Sequence, residues 1–187
     1  AVRAAVEGEL DRLRTGSVRA RFHLGEAGSP AEVVQQLDRL GTRGGCDGVI
    51  LKAPDDPAVA AAVDRCAERG IPAVTFVTDV TDCRRVASVG LDNRSAGASA
   101  AYLIALATGD LPGRVLVTVS RRTFQGERER LAAFRGHCDR EVVEAGDVDG
   151  LDDSMAAAVG EVLERAPDIV AVYSIGGGNL GILAALD

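Results

Sequence analysis

Seven side chains in this sequence combine useful chemistry with a useful position. Asp79, Asp92, Phe124, Arg128, Arg130, Ser174 and Asn179 each fall at the end of an apolar run, in the loop beyond it, or in the helix turns that follow. Asp92-Asn93 ends one such run and opens an alanine-rich stretch. A carboxylate there can cap a helix with one oxygen, worth about 1 kcal/mol, and accept from a ligand hydroxyl with the other. Arg128 and Arg130 fall early in a helix expected over 126–137, where the dipole prefers anions. Cations set against that preference can face a cleft, whereas Glu127 and Glu129 suit the dipole and can simply be solvated. Arg130 precedes Phe134 by four residues and so shares a face with an expected core residue. Phe124, in the loop before them, can stack on the apolar face of a sugar ring or bury its own loop.

The stretch Ser174-Ile175-Gly176-Gly177-Gly178-Asn179-Leu180-Gly181 contains Gly176-x-Gly178-x-x-Gly181, the spacing of a dinucleotide-binding turn. That turn normally follows the first strand of its lobe, and this one comes late. The preferred reading is of glycines that let the backbone approach a small ligand, with Asn179 offering both a donor and an acceptor.

Nothing in the sequence assembles a catalytic group. The serines lack a Gly-x-Ser-x-Gly setting, and neither His23 nor His137 has an evident nucleophile partner. Cys46, Cys66, Cys83 and Cys138 form no Cys-x-x-Cys pair, which with two histidines fits neither a zinc site nor a disulfide framework. They read as reduced thiols of a cytoplasmic protein. The expectation is a binding protein and not an enzyme, with no cofactor and no metal.

Composition narrows the partners. The 187 residues carry 21 basic and 28 acidic side chains, a net charge of −7, so the chain lacks the basic footprint that grips nucleic acid by its phosphates. No apolar run approaches the roughly 20 residues of a membrane helix, so no membrane partner is expected.

Positioning those seven residues falls to an alternation of helices and strands. Helical spacing runs over 1–15, stopped by Gly16; Val18 to Leu24 alternates as a strand. Ser29-Pro30 starts a helix that ends before Gly41, followed by a strand at Gly48–Leu51 and a helix opened by Asp56-Pro57. Strands are expected at Ile71–Val77 and Val86–Leu91, then a helix from Asp92-Asn93 to about Ala107. Gly109-Asp110-Leu111-Pro112-Gly113 is the strongest punctuation. Beyond it come the strand Val115–Val119, the helix Gly126–His137, the strand Glu141–Val143, the helix Ser154–Ala166, the strand Ile169–Tyr173 and a helix from Asn179. Strands spaced by helices imply parallel sheets, hence an α/β class with two similar lobes, 1–109 and 110–187. Ligands of such sheets collect beyond the carboxyl ends of the strands. That rule selects Gly25–Gly28, Ala53–Asp56, Thr78–Thr81, Ser120–Phe124 and Ser174–Gly178. A chain that opens inside a helix and stops two turns into another is expected to be truncated at both ends.

Cys46-Asp47-Gly48-Val49-Ile50-Leu51, Gly70-Ile71-Pro72-Ala73-Val74, Val89-Gly90-Leu91-Asp92-Asn93 with Ala96-Gly97, and Arg130 to Phe134 stand in a telling order. Together they resemble the effector-binding region of the lac repressor/galactose repressor (LacI/GalR) family, which shares its fold with periplasmic sugar-binding proteins. Ala133 replaces a usual glycine, and Val77-Thr78 followed by Asp79 replaces the common Asp-Arg. The resemblance implies two Rossmann-like lobes of the periplasmic-binding-protein type I kind, closing on a small sugar-like effector. It also implies a homodimer, and operator DNA read through a helix-turn-helix that this chain does not contain. Sugar contacts carry over to Asp92 and Arg130. Effector binding would then alter operator affinity through linkage. The alternatives are the sugar-binding component of an importer and, behind it, a nucleotide-dependent α/β enzyme.

Overall fold

The computed structural model describes residues 2–10, 12, 18–23, 29–43, 45–146 and 148–187. In chain order the elements are α1 (Val2–Leu10), α2 (Pro30–Arg43), β1 (Val49–Leu51), α3 (Pro57–Glu68), β2 (Ala73–Phe76), β3 (Ala87–Val89) and α4 (Asn93–Thr108). They continue with β4 (Arg114–Val119), α5 (Gln125–His137), β5 (Val142–Gly146), α6 (Asp152–Arg165), β6 (Ile169–Ser174) and α7 (Asn179–Leu186). The helix starts follow their caps. Asp56 Oδ1 accepts from Ala58 N at 2.8 Å with Pro57 in the first turn, and Asp92 Oδ1 accepts from Ser95 N at 3.0 Å.

Two all-parallel, three-stranded sheets result, in the orders β1-β2-β3 and β5-β4-β6. In the second sheet β4 is central and alternation along it feeds two cores. Val115, Val117 and Val119 pack with Leu131, Phe134 and Ala101, while Leu116 packs with Met155, Val159 and Ile182. The first sheet has one core, built from Leu51 and Ala73 against Val59 and Val63 of α3 and Leu37 of α2. This is the α/β fold of two lobes with parallel sheets that the alternation implied.

Several boundaries moved, each for a local reason. The first helix stops at Leu10, short of residue 15; its stop at Gly16, and the loop Gly25–Gly28, lie outside the described residues. Val18–His23 form no strand, because alternation without a hydrogen-bonded neighbour does not make one; Leu24 is outside the described residues. Helix α2 runs through Gly41 to Arg43. Strand β5 begins at Val142 and extends to Gly146 because its pairing with β4 continues to Val119↔Gly146. Strand β2 ends at Phe76, where Val77 turns to φ 67°. Helix α4 precedes the punctuation at 109–113, yet it packs along α5 and gives Ala101 to the second core. Its packing therefore goes with the second sheet. Gly97 makes that crossing possible: a Cβ there would sit 2.3 Å from the Arg130 carbonyl oxygen and 3.0 Å from Phe134 N.

Candidate functional site

The carboxyl ends of β2 and β3 face the start of α5 across a hollow of about 310 Å³. Val77, Asp79, Ser88, Gly90, Leu91, Asp92 and Asn93 line one side, and Gln125, Gly126 and Glu129 line the other. Each is there for a local reason. Val77 closes a three-residue turn, with Thr78 N donating to the Phe76 oxygen at 2.8 Å, and this swings the chain out of the sheet. Thr78 is thereby buried and bridges to the neighbouring strand end: its Oγ1 donates to the Ala53 oxygen at 2.8 Å and accepts from Ala53 N at 3.2 Å. Gly126 lets α5 start against Asn93, whose side-chain amide would stand 3.0 Å from an added Cβ.

The hollow is polar and acidic. Asp79 Oδ1 accepts from Thr75 Oγ1 at 2.6 Å and from Val80 N at 2.9 Å, and Oδ2 pairs with Arg85 at 2.7 Å. Asp92 accepts from the Ser95 hydroxyl at 2.6 Å as well as from its backbone. Those two bonds, the hydroxyl first, hold the Asp92 carboxyl below the usual range, so it stays an ionised acceptor. Gln125 donates through Nε2 to Glu129 at 3.2 Å. Its Oε1 is buried without a partner, as is Arg85 Nε behind Asp79. The orphan acceptor of Gln125, a residue that lines the hollow, suits a hydroxyl donor.

The structure thus brings Asp79 and Asp92 together on the hollow and places the other five expected residues elsewhere. Arg130 is not among the lining residues. Its Nε donates to the Gly126 oxygen at 3.2 Å, and its charge partly offsets the upward push that burial gives the Tyr173 phenol. Arg128 donates to the Arg122 and Thr123 carbonyls and pairs with Asp55 at 3.2 Å. It flanks a smaller hollow of about 170 Å³ with Val119, Arg122, Leu131, Ala132 and Arg135. Phe124 sits before α5 with the Lys52 ammonium 6.0 Å from its ring centre. Ser174 and Asn179 bond to each other at 2.6 Å.

The glycines beside Ser174 serve packing. An added Cβ would lie 2.6 Å from Ser120 at Gly176, 2.6 Å from the Gly150 oxygen at Gly177 and 1.9 Å from the Asp152 oxygen at Gly181. The glycines thus admit neighbouring loops of the same chain. Glu127, read as solvated, is buried instead. Its carboxylate accepts from Ser120 N at 2.9 Å, Arg121 N at 3.1 Å and Ser120 Oγ at 2.5 Å, and so pins the loop after β4. Sequence reasoning missed Ser88, Gln125 and Glu129 as lining residues. Position gave a usable signal for Gln125 and Glu129, which are four apart in the opening turns of α5 and so share a face. Among the described residues, no group of His, Cys, Asp and Glu could hold a metal ion, and no helix is long and apolar enough to cross a membrane.

Known proteins give these observations a frame. No curated protein sequence matches the chain. Solved structures do. XylFII superposes with a TM-score of 0.84 at 22% identity over 99% of this chain and 68% of its own. A D-arabinose complex of a transporter solute-binding protein from Burkholderia graminis gives 0.79 at 21% identity, over 85% of this chain and 56% of its own. GanP, a glucose-galactose binding protein from Geobacillus stearothermophilus, gives 0.72 at 22% identity, over 82% and 56%. The chain thus spans little more than half the length of the last two. At such identities the likeness establishes the fold; the last two neighbours are named as binding proteins. The periplasmic binding protein domain family matches residues 16–187, and the chain belongs to that family.

Proposed function

We propose that this chain is the ligand-trapping part of a sugar-binding protein, of the kind that delivers its ligand to an importer, and that it binds without turnover. The observation that carries the reading is the polar hollow between the two sheets, where Gln125 Oε1 is buried without a partner among the carboxylates of Asp79, Asp92 and Glu129. Such a lining is rich in acceptors, and a polyhydroxyl ligand is rich in donors. A volume of about 310 Å³ is at the small end of ligand pockets, which run from about 300 to 1,000 Å³, as suits a single sugar ring. The structural neighbours named for transport and sugar binding support this importer reading over the regulator that the sequence resemblance put first.

The regulator keeps one observation in its favour. Cys46, Cys66, Cys83 and Cys138 are all unpaired, and the buried Cys66 thiol donates to the Leu37 oxygen at 3.8 Å. Free thiols suit a reducing compartment, and with it a homodimeric cytoplasmic sensor acting on operator DNA. Sequence upstream of Ala1 separates the two readings: an export signal supports the importer component, a helix-turn-helix the regulator.

Calorimetric titration with D-arabinose, D-ribose, D-galactose and D-glucose tests binding itself. At least one sugar is expected to bind, and Asp92→Ala to weaken it at least tenfold, since a hydrogen bond to a charged group is worth about 1.5–3 kcal/mol. Binding unchanged by Asp92→Ala would remove this hollow as the site. The same titration with Arg130→Ala decides whether the family contact carried over to Arg130 operates here.

A further inference from the structure

We infer that Asp55 and Arg128 form a clasp across the two lobes, so that both set ligand affinity although neither lines the hollow. Extensive packing of helices and strands stays within each lobe, with α4 and α5 belonging to the second. Asp55 lies beyond β1, next to Ala53 of the first core, and Arg128 lies on α5, whose Leu131 and Phe134 belong to the second. Arg128 NH2 reaches Asp55 Oδ2 at 3.2 Å across 73 residues of sequence.

Both ends are held before they meet. Asp55 Oδ1 accepts from Thr81 N at 2.9 Å and from Thr81 Oγ1 at 3.0 Å, which leaves Oδ2 for the arginine. Arg128 NH1 is anchored on the Arg122 and Thr123 carbonyls at 3.0 and 3.1 Å. Preordered partners lose less side-chain entropy on pairing than two free surface chains do. The Asp55 side chain is 17% exposed and that of Arg128 45%, so solvent screens the pair only in part. Lys52 and Phe124 make a second cross-lobe contact beside it.

The consequence follows from population arithmetic. A ligand held between lobes binds the closed arrangement, and its apparent affinity falls in proportion to the closed fraction. A contact present only when the lobes are together raises that fraction. Arg128 is then a positioning residue whose cationic head is already committed to Asp55. This consequence rests on the binding reading above; the clasp itself does not.

The test is small-angle X-ray scattering on the ligand-free protein, comparing wild type, Arg128→Glu, Arg128→Lys and the reversed pair Asp55→Lys with Arg128→Glu. Arg128→Glu sets two carboxylates face to face and is expected to increase the radius of gyration. Arg128→Lys should stay near wild type, and the reversed pair should return toward it. An unchanged radius in Arg128→Glu, or a reversed pair no more compact than that single variant, overturns the clasp. Should circular dichroism show Arg128→Glu unfolded, Arg128→Gln against Arg128→Lys reads the same quantity. For D-arabinose or D-galactose, whichever the wild type binds, Arg128→Gln is expected to weaken affinity about 2- to 5-fold. Because the scattering measurement needs no sugar, a sugar panel that fails counts against the binding reading and leaves the clasp standing.

Discussion

The two sheets share strand direction and strand number but are covered differently. Strand β4 is sandwiched: Val115, Leu116 and Val117 are all fully buried, with α4 and α5 on one side and α6 and α7 on the other. Strand β1 is covered on one side. Leu51 is buried against α3, while Ile50 is 73% exposed and Val89, on the same face of β3, is exposed too. Near-continuous apolar strands are the signature of two-sided cover, and both sheets carry it. The difference shows that such a pattern states how much apolar surface a strand offers, and leaves open how much of it the described residues bury.

The largest effects should track that contrast. Phe134 is fully buried, with its ring 4.9 Å from that of Tyr173. Phe134→Ala is expected to cost about 3–5 kcal/mol, as large-to-small changes in a packed core do. Ile50→Ala, on the open face, should cost under about 0.5 kcal/mol. Urea denaturation measures both. An Ile50→Ala loss comparable to that of Phe134→Ala would show the open face covered in solution, and the contrast between the sheets would vanish.

Turns at the strand ends sharpen the comparison with an intermediate effect. The second sheet ends its turns on glycine: Gly146 takes φ 125° where a Cβ would collide with the Val119 oxygen. The first sheet instead forces a β-branched residue, Val77, to φ 67°. Such a conformation costs about 1–3 kcal/mol, and glycine there would forfeit roughly 0.5–1 kcal/mol of chain entropy. Val77→Gly is therefore expected to stabilise by about 1 kcal/mol, raising Tm by roughly 2–4 °C. A lower Tm in a thermal melt would show that the valine side chain contributes more than its backbone costs.

The second lobe was also the more legible one. Its strands are bounded by Gly109–Gly113 and Pro167, and every element there lies within a few residues of its expected place. In the first lobe Val18–His23 had the alternation of a strand without a partner to pair with, and that partner is a tertiary fact. At the site, Asp79 and Asp92 were legible because strand ends carry ligand groups in parallel sheets. Glu129 was harder to read, because a glutamate early in a helix satisfies the dipole wherever it points, and only its spacing of four from Gln125 marked the shared face. The Gly176–Gly181 spacing invited a ligand reading although the glycines answer to Ser120, Gly150 and Asp152, residues that spacing alone cannot bring near.

Acid gives the smallest expected difference between the lobes. In the first, Asp38 is held below the usual carboxylate range by its hydrogen bonds to Arg65, at 3.0 Å through both oxygens. In the second, Asp92, Asp149 and Asp168 are held down, Asp168 by the Arg114 guanidinium that ties the start of β4 to the start of β6. A carboxyl whose folded pKa is depressed binds fewer protons when native than when unfolded. Its stabilisation is complete above the unfolded value and is lost as pH falls through that value toward the folded one. Between about pH 5 and pH 3, Tm should therefore fall less steeply in Asp168→Asn than in wild type, with Asp38→Asn making the corresponding change in the first lobe. Both effects are modest, because these side chains are about half exposed and solvent screens them, and both should shrink further as salt is raised. An Asp168→Asn slope equal to that of wild type at low ionic strength would mean that the β4–β6 edge draws its stability from strand pairing and the buried faces of β4, with the Arg114 pair contributing nothing.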